Sequence, residues 1–177
     1  MKITEAELPT IYLRSGEIYF TDRPSVVITV LGSCVSVILF HRQLGLSSIC
    51  HGSLPRCVNK RAWCGVCHES AKFVECSLRT MVDRFKQSGV ELRELETRIY
   101  GGACMFSTRP LAEGAISVGK QNITTAQKLI DREGLKVVSS DIGGVQGRKI
   151  VFNTATGEVM LKRLLPQTML ANRGAGA

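Results

Sequence analysis

Thr29-Val30-Leu31-Gly32-Ser33-Cys34-Val35-Ser36-Val37 joins an apolar, β-branched run over 26–31 to an alternating run over 34–40 through a Gly-Ser turn. In the second run Val35, Val37 and Leu39 fall on one face and Cys34, Ser36 and Ile38 on the other, the period of two of a strand. Cys34 therefore opens a strand with small neighbours on its N-terminal side, where a substrate backbone can approach. His51 follows seventeen residues later, at the end of the next apolar run, 46–51. If the polar turn His41-Arg42-Gln43 joins these runs as adjacent antiparallel strands, the two side chains meet. Thiol chemistry needs such a neighbour, because the thiolate is the nucleophile and an isolated thiol is mostly protonated at neutral pH. A core cysteine in a strand beside an unrelated histidine would show the same spacing, since free Cys is among the most buried residue types.

The whole chain has 177 residues, 44% hydrophobic and 21% charged, which suits one soluble domain with a sizeable core. The expected division is a single domain over 1–165 and a disordered-looking tail over 166–177, ending Asn172-Arg173-Gly174-Ala175-Gly176-Ala177. No apolar run reaches the roughly 18 residues of a membrane span, and Met1-Lys2-Ile3-Thr4-Glu5-Ala6-Glu7-Leu8 lacks the apolar core of a signal peptide. A cytoplasmic location without membrane insertion is expected. The net charge of +8 favours acidic partners. The basic residues are scattered and aromatics make up only 6%, so no recognition helix or stacking platform for nucleic acid is seen.

Periodicity sketches an α+β chain. Strands are expected over 26–31, 34–40, 46–51, 97–101, 135–139, 148–153 and 158–164. The clearest helix runs over about 69–87, where Val74, Leu78, Met81, Val82 and Phe85 share one face and Gly89 marks the stop. A second helix is expected over 123–133, with Asn122 as its N-cap and Gly134 ending it.

Seven cysteines make an odd count, and a disulfide framework is not expected in a chain of this size in a reducing compartment. Cys57, Cys64, Cys67, His68 and Cys76 cluster in sequence. Cys64-Gly65-Val66-Cys67-His68 matches the haem-attachment pattern C-x-x-C-H, but that attachment occurs outside the cytoplasm. Structural zinc on Cys57, Cys64 and Cys67 with His68 or Cys76 is a weak candidate, because a clean second ligand pair is missing. Ordinary reduced thiols are the simplest reading, with no metal and no cofactor.

Three further segments complete an ordered set: Tyr100-Gly101-Gly102-Ala103-Cys104-Met105-Phe106, Val118-Gly119-Lys120-Gln121-Asn122-Ile123, and Asp141-Ile142-Gly143-Gly144-Val145-Gln146-Gly147-Arg148-Lys149 running into Phe152-Asn153-Thr154-Ala155-Thr156-Gly157-Glu158-Val159. With the Leu-Gly-Ser-Cys and His-x-x-Leu-Pro segments, they resemble the CheD family of chemoreceptor glutamine deamidases, over residues 12 to 164. The resemblance implies a layered α/β/β/α sandwich of mixed sheets with flanking helices, related to the deamidase domain of cytotoxic necrotizing factor toxins. It implies a protein-glutamine glutaminase of Cys-His-Thr type in bacterial chemotaxis, which turns receptor glutamine into glutamate and releases ammonia. Cys34 would be the nucleophile and His51 the base. Thr29, five residues before the cysteine, is the candidate for the group that fixes the imidazole. Ser33, Gly101 and Gly102 are candidate substrate or oxyanion contacts; the glycines of the Gly101-Gly102 and Gly143-Gly144 pairs could equally serve only as positive-φ turns. The implied partners are chemoreceptors as substrates and a CheC-type phosphatase. The alternative is a catalytically weak binding module that regulates that phosphatase. Two departures from the family's usual pattern are Lys120-Gln121, where relatives commonly carry Glu-Arg, and Cys104, where they often carry a polar residue.

Overall fold

A computed structural model describes residues 8–57, 70–104 and 116–165. The described chain runs β1 (Thr10–Tyr12), β2 (Ile18–Thr21), β3 (Val26–Leu31), β4 (Val35–His41), β5 (Leu46–Cys50), α1 (Val74–Gln87), β6 (Glu96–Gly101), α2 (Val118–Arg132), β7 (Lys136–Ile142), β8 (Arg148–Asn153) and β9 (Val159–Arg163). The strands form a four-stranded sheet ordered β1-β3-β8-β9 and a five-stranded sheet ordered β2-β5-β4-β6-β7. Each sheet is mixed: β1 pairs parallel to β3 and β6 parallel to β7, while the other neighbours are antiparallel.

Strand β4 explains the layering. All seven of its residues are buried, so both faces are covered. Val35, Val37 and Leu39 pack with Val74, Leu78, Met81, Val82 and Phe85 of α1 and with Ala126, Leu129 and Ile130 of α2. Ile38 and Phe40 point the other way and pack with Val27, Leu31, Ile150 and Phe152 of the four-stranded sheet. Phe40 meets Phe152 edge-on at 6.4 Å between ring centroids. Each such side chain contributes about 1.5–3 kcal/mol on burial, so the alternation read from 34–40 directs one strand into two cores.

The α+β class and the layered pair of mixed sheets are as expected. Both helices lie on the five-stranded sheet; a second helical layer, over the four-stranded sheet, is not found among the described residues. Strands β1 and β2 come from residues that carry no clear period. The helix expected over 69–87 is a 3-10 turn at Ser70–Lys72 followed by α1, and Gly89, at φ 75°, follows its C-cap Ser88.

The second helix is corrected at its N-terminus. It starts at Val118, because Ser117 supplies the cap: its hydroxyl accepts from the Lys120 amide at 3.3 Å. Asn122 lies within the helix and does not cap it. The expected tail over 166–177 lies outside the described residues. Among the described residues no helix is long and apolar enough to cross a membrane.

Candidate active site

The ladder between β4 and β5 continues past the end of β5 to one further pair, in which Val35 and Gly52 exchange both backbone hydrogen bonds at 2.9 Å. That register, shared with Ile38 opposite Ile49, sets His51 across from Ser36. Cys34 precedes Ser36 by two residues and shares its face, so Cys34 and His51 are diagonal neighbours across the ladder. The shared face is the one turned toward the four-stranded sheet, where Cys34 packs at the margin of the inter-sheet core.

Thr29, on β3, reaches the same place from the opposite sheet. It is 2% exposed and His51 is 6% exposed. The Thr29 hydroxyl donates to the Leu13 carbonyl at 2.9 Å, and its oxygen lies 2.8 Å from His51 Nδ1. A hydroxyl has one proton. With that proton given to Leu13, the contact to the ring is made by Nδ1–H donating to Thr29 Oγ1. The imidazole is thereby held as the Nδ1–H tautomer, and the lone pair rests on Nε2. Nε2 is buried and has no hydrogen-bond partner among the described residues. The loop before β2 holds the histidine backbone: the His51 amide donates to Glu17 O at 3.0 Å, and the Gly16 amide donates to His51 O at 2.8 Å.

Burial sets the resting protonation. It pushes the Cys34 thiol up, opposed by a hydrogen bond from the Ser15 side chain. It pushes His51 down, opposed by the Leu13 carbonyl and the Glu17 charge. Both directions favour a neutral thiol beside a neutral imidazole.

The Gly101-Gly102 segment supports the cysteine loop from behind. The Gly102 amide donates to Cys34 O at 2.8 Å and the Ala103 amide to Gly32 O at 2.9 Å, so the Gly102 N–H is already engaged. Gly101 stands at φ 106°, and a Cβ there would run into the Cys34 carbonyl oxygen. Behind it, Gly143 N–H donates to Gly101 O at 2.9 Å, and Arg148, ion-paired to Asp141 at 2.7 Å, also donates to Gly143 O at 2.7 Å. The Gly143-Gly144 pair, with φ of 75° and 68°, forms a turn in this support. Ser33 sits in the turn itself, partly buried.

Of the other cysteines, Cys50 faces the helical core and burial pushes its thiol to about 11. Cys76 is buried on α1 and Cys57 is half-buried. Cys64, Cys67 and His68 lie outside the described residues. Three contributors were not singled out from sequence: the Leu13 carbonyl, Ser15, and Asn122 as a buried group beside the cysteine loop.

A thiol just before β4, an imidazole diagonal to it across the ladder, and a hydroxyl that fixes the ring make an arrangement competent for thiol-dependent hydrolysis. The chain belongs to the CheD family. The family described as CheD chemotactic sensory transduction matches residues 58–163. The chain is similar to the probable chemoreceptor glutamine deamidase CheD 2 of Geobacter sulfurreducens, 38% identical over 93% of this chain and 96% of that one. It is similar also to the probable chemoreceptor glutamine deamidases CheD of Oleidesulfovibrio alaskensis, 35% identical over 92% and 76% of the two chains, and of Maridesulfovibrio salexigens, 32% identical over 93% and 97%. Those alignments span most of the chain, whereas the family match begins after Thr29, Cys34 and His51.

Proposed function

We propose that this protein is a chemoreceptor glutamine deamidase that works through Cys34, His51 and Thr29, in the cytoplasm, on methyl-accepting receptors. The observation that carries the mechanism is the Thr29–His51 hydrogen bond, which leaves the lone pair on Nε2 of a histidine whose place in the ladder is diagonal to Cys34. Nε2 takes the Cys34 proton as sulfur attacks the carboxamide carbon of a receptor glutamine. The imidazolium then protonates the departing nitrogen, the C–N bond breaks, and ammonia leaves a thioester on Cys34. Nε2 next takes a proton from water, hydroxide adds to the thioester, and the thiolate departs and recovers its proton. The balance is glutamine plus water to glutamate plus ammonia. Backbone amides in the Ser33-Cys34 turn are the proposed donors to the oxyanion, since the Gly102 amide serves the Cys34 carbonyl. A CheC-type phosphatase is the proposed docking partner.

Mass spectrometry of receptor cytoplasmic segments incubated with the protein tests this reading. Glutamine becoming glutamate adds roughly one dalton, the signature of amide hydrolysis through an acyl-enzyme. A gain seen with the wild type and absent with Cys34→Ala is expected. An unchanged receptor, or a gain that persists in Cys34→Ala, would refute it.

A further inference from the structure

Asn122 is 0% exposed, at the start of the second turn of α2, and its side-chain nitrogen makes two hydrogen bonds. Nδ2 donates to Ser33 O at 3.0 Å and to Ser53 O at 3.1 Å. Ser33 immediately precedes Cys34, and Ser53 lies two residues beyond His51. The backbone pairing between these two segments ends at Val35 and Gly52. The next hydrogen-bonded pair of the ladder would set Ser33 against Leu54, but the Leu54 amide donates to Lys72 O at 3.1 Å. The two segments thus turn to different partners where the thiol has to be held against the imidazole. Asn122 spans that gap: one amide, with both protons used, takes the place of the next rung of the ladder.

The remaining polar atom of the residue sharpens the point. Asn122 Oδ1 is buried and has no hydrogen-bond partner among the described residues. A buried orphan acceptor is unfavourable, and an apolar side chain on this face of α2, which also carries Ala126, Leu129 and Ile130, would avoid it. What Asn offers and an apolar residue lacks is the pair of donors aimed at Ser33 and Ser53. Asp has the same shape but turns oxygen toward both carbonyls. Gly119 and Gly102 allow this close seating: a Cβ on Gly119 would crowd the Gly102 carbonyl, so α2 can lie directly against the support of the cysteine loop.

We propose that Asn122 is the positioning residue that sets the Cys34 thiol against His51 Nε2, acting through the Ser33 and Ser53 carbonyls. It touches neither the thiol nor the imidazole by a hydrogen bond. The proposal rests on the reading of Cys34 and His51 as the working pair.

Two measurements on the full chain test it: the pH dependence of Cys34 alkylation by iodoacetamide, followed by peptide mass spectrometry, and kcat and KM for receptor deamidation. Wild type and His51→Ala define the profile with and without the imidazole. Asn122→Asp keeps the shape and removes the donors; Asn122→Ser keeps one donor and serves if the first variant does not fold. Thr125→Ala, on the same helix, reports a loss of packing alone. For Asn122→Asp we expect kcat down ten- to a hundredfold, the scale of a misplacement near one ångström, with KM within threefold. Its alkylation profile should move toward that of His51→Ala, Asn122→Ser should fall between, and Thr125→Ala should follow wild type. A folded Asn122→Asp or Asn122→Ser with wild-type kcat and profile overturns the proposal, as does a change confined to KM or a Thr125→Ala profile shifted equally. If wild type and His51→Ala alkylate identically and no deamidation occurs, the reading of the pair fails, and this proposal with it.

Discussion

Thr29 stands on β3 of the four-stranded sheet and His51 just past β5 of the five-stranded sheet, and the hydrogen bond between them, 2.8 Å from Thr29 Oγ1 to His51 Nδ1, crosses the space between the layers. Because Thr29 gives its proton to Leu13, the ring must donate from Nδ1, and the lone pair lies on Nε2, the atom proposed as the base. Thr29→Val keeps the shape and deletes the acceptor. It should lower kcat at least tenfold, since the ring loses its tautomer and its orientation together. Leaving Nδ1–H buried without a partner should cost about 1–3 kcal/mol of stability. Thr29→Ser should restore most of both. Steady-state kinetics and denaturant unfolding check this; an active Thr29→Val would mean that the ring is oriented by something else.

Cys34→Ala should abolish deamidation and leave the fold intact, because the side chain sits at the margin of the inter-sheet core. Cys34→Ser should be nearly inactive, since a hydroxyl ionises far less readily than a thiol. Cys34→Ala combined with His51→Ala should lose little more than either change alone, as groups that act as one unit are not additive. Additive losses in that comparison would separate the two residues functionally.

The two shifts fix the pH dependence. Burial lowers His51 from its ordinary 6.5 and raises Cys34 from 9.0. With the neutral pair as the active form, kcat/KM should be level through neutral pH, with its acid limb below 6.5 and its alkaline limb above 9.0. An acid limb centred above 6.5 would contradict the buried, neutral imidazole.

The same histidine shift bears on stability. The unfolded chain takes up the proton more readily than the folded one, so His51 contributes its full stability above 6.5 and loses it as pH falls through the lowered folded value. Unfolding of wild type and His51→Gln across this window should show the wild type losing more on acidification. Parallel curves would count against it.

Gly101→Ala should disturb the nucleophile from behind. At φ 106° an added Cβ is strained, and it meets the Cys34 carbonyl that the Gly102 amide holds. The expected result is a lower melting temperature together with a kcat reduced more than tenfold. The same substitution at Gly89, also at positive φ but with open space around it, should affect stability alone.

Replacing Cys57, Cys64 and Cys67 by Ser should leave kcat within about twofold, because these residues lie outside the segments that carry the chemistry. Metal analysis of the wild-type protein, alongside thermal unfolding of the triple variant, decides whether they hold zinc: bound zinc would make the replacement destabilising. Cys50, with its thiol pushed to about 11 on the helix-facing side of β5, should resist alkylation throughout.

What the sequence by itself determined is carried by short-range period. The alternation of Val35, Val37 and Leu39 against Ile38 is a property of any strand, and the spacing of Val74, Leu78, Met81, Val82 and Phe85 is that of one helix face. Cys34 at the start of one expected strand and His51 at the end of the next follow from the same local arithmetic, because a hairpin ties their register; in the structure both stand one residue outside β4 and β5. Thr29 was legible only by resemblance, since five residues of separation say nothing about a hydrogen bond between two sheets. The tertiary structure alone decided that the Gly102 amide is spent on the Cys34 carbonyl, and that Asn122 leaves the cap to Ser117 and enters the core. Asparagine favours caps for its local hydrogen bonds, which is why it reads as one. One signal of its other role was present: Asn122 shares a helix face with Ala126, Leu129 and Ile130. A polar side chain buried on such a face needs partners from elsewhere, and only the closing of α2 against the end of the β4–β5 ladder supplies them.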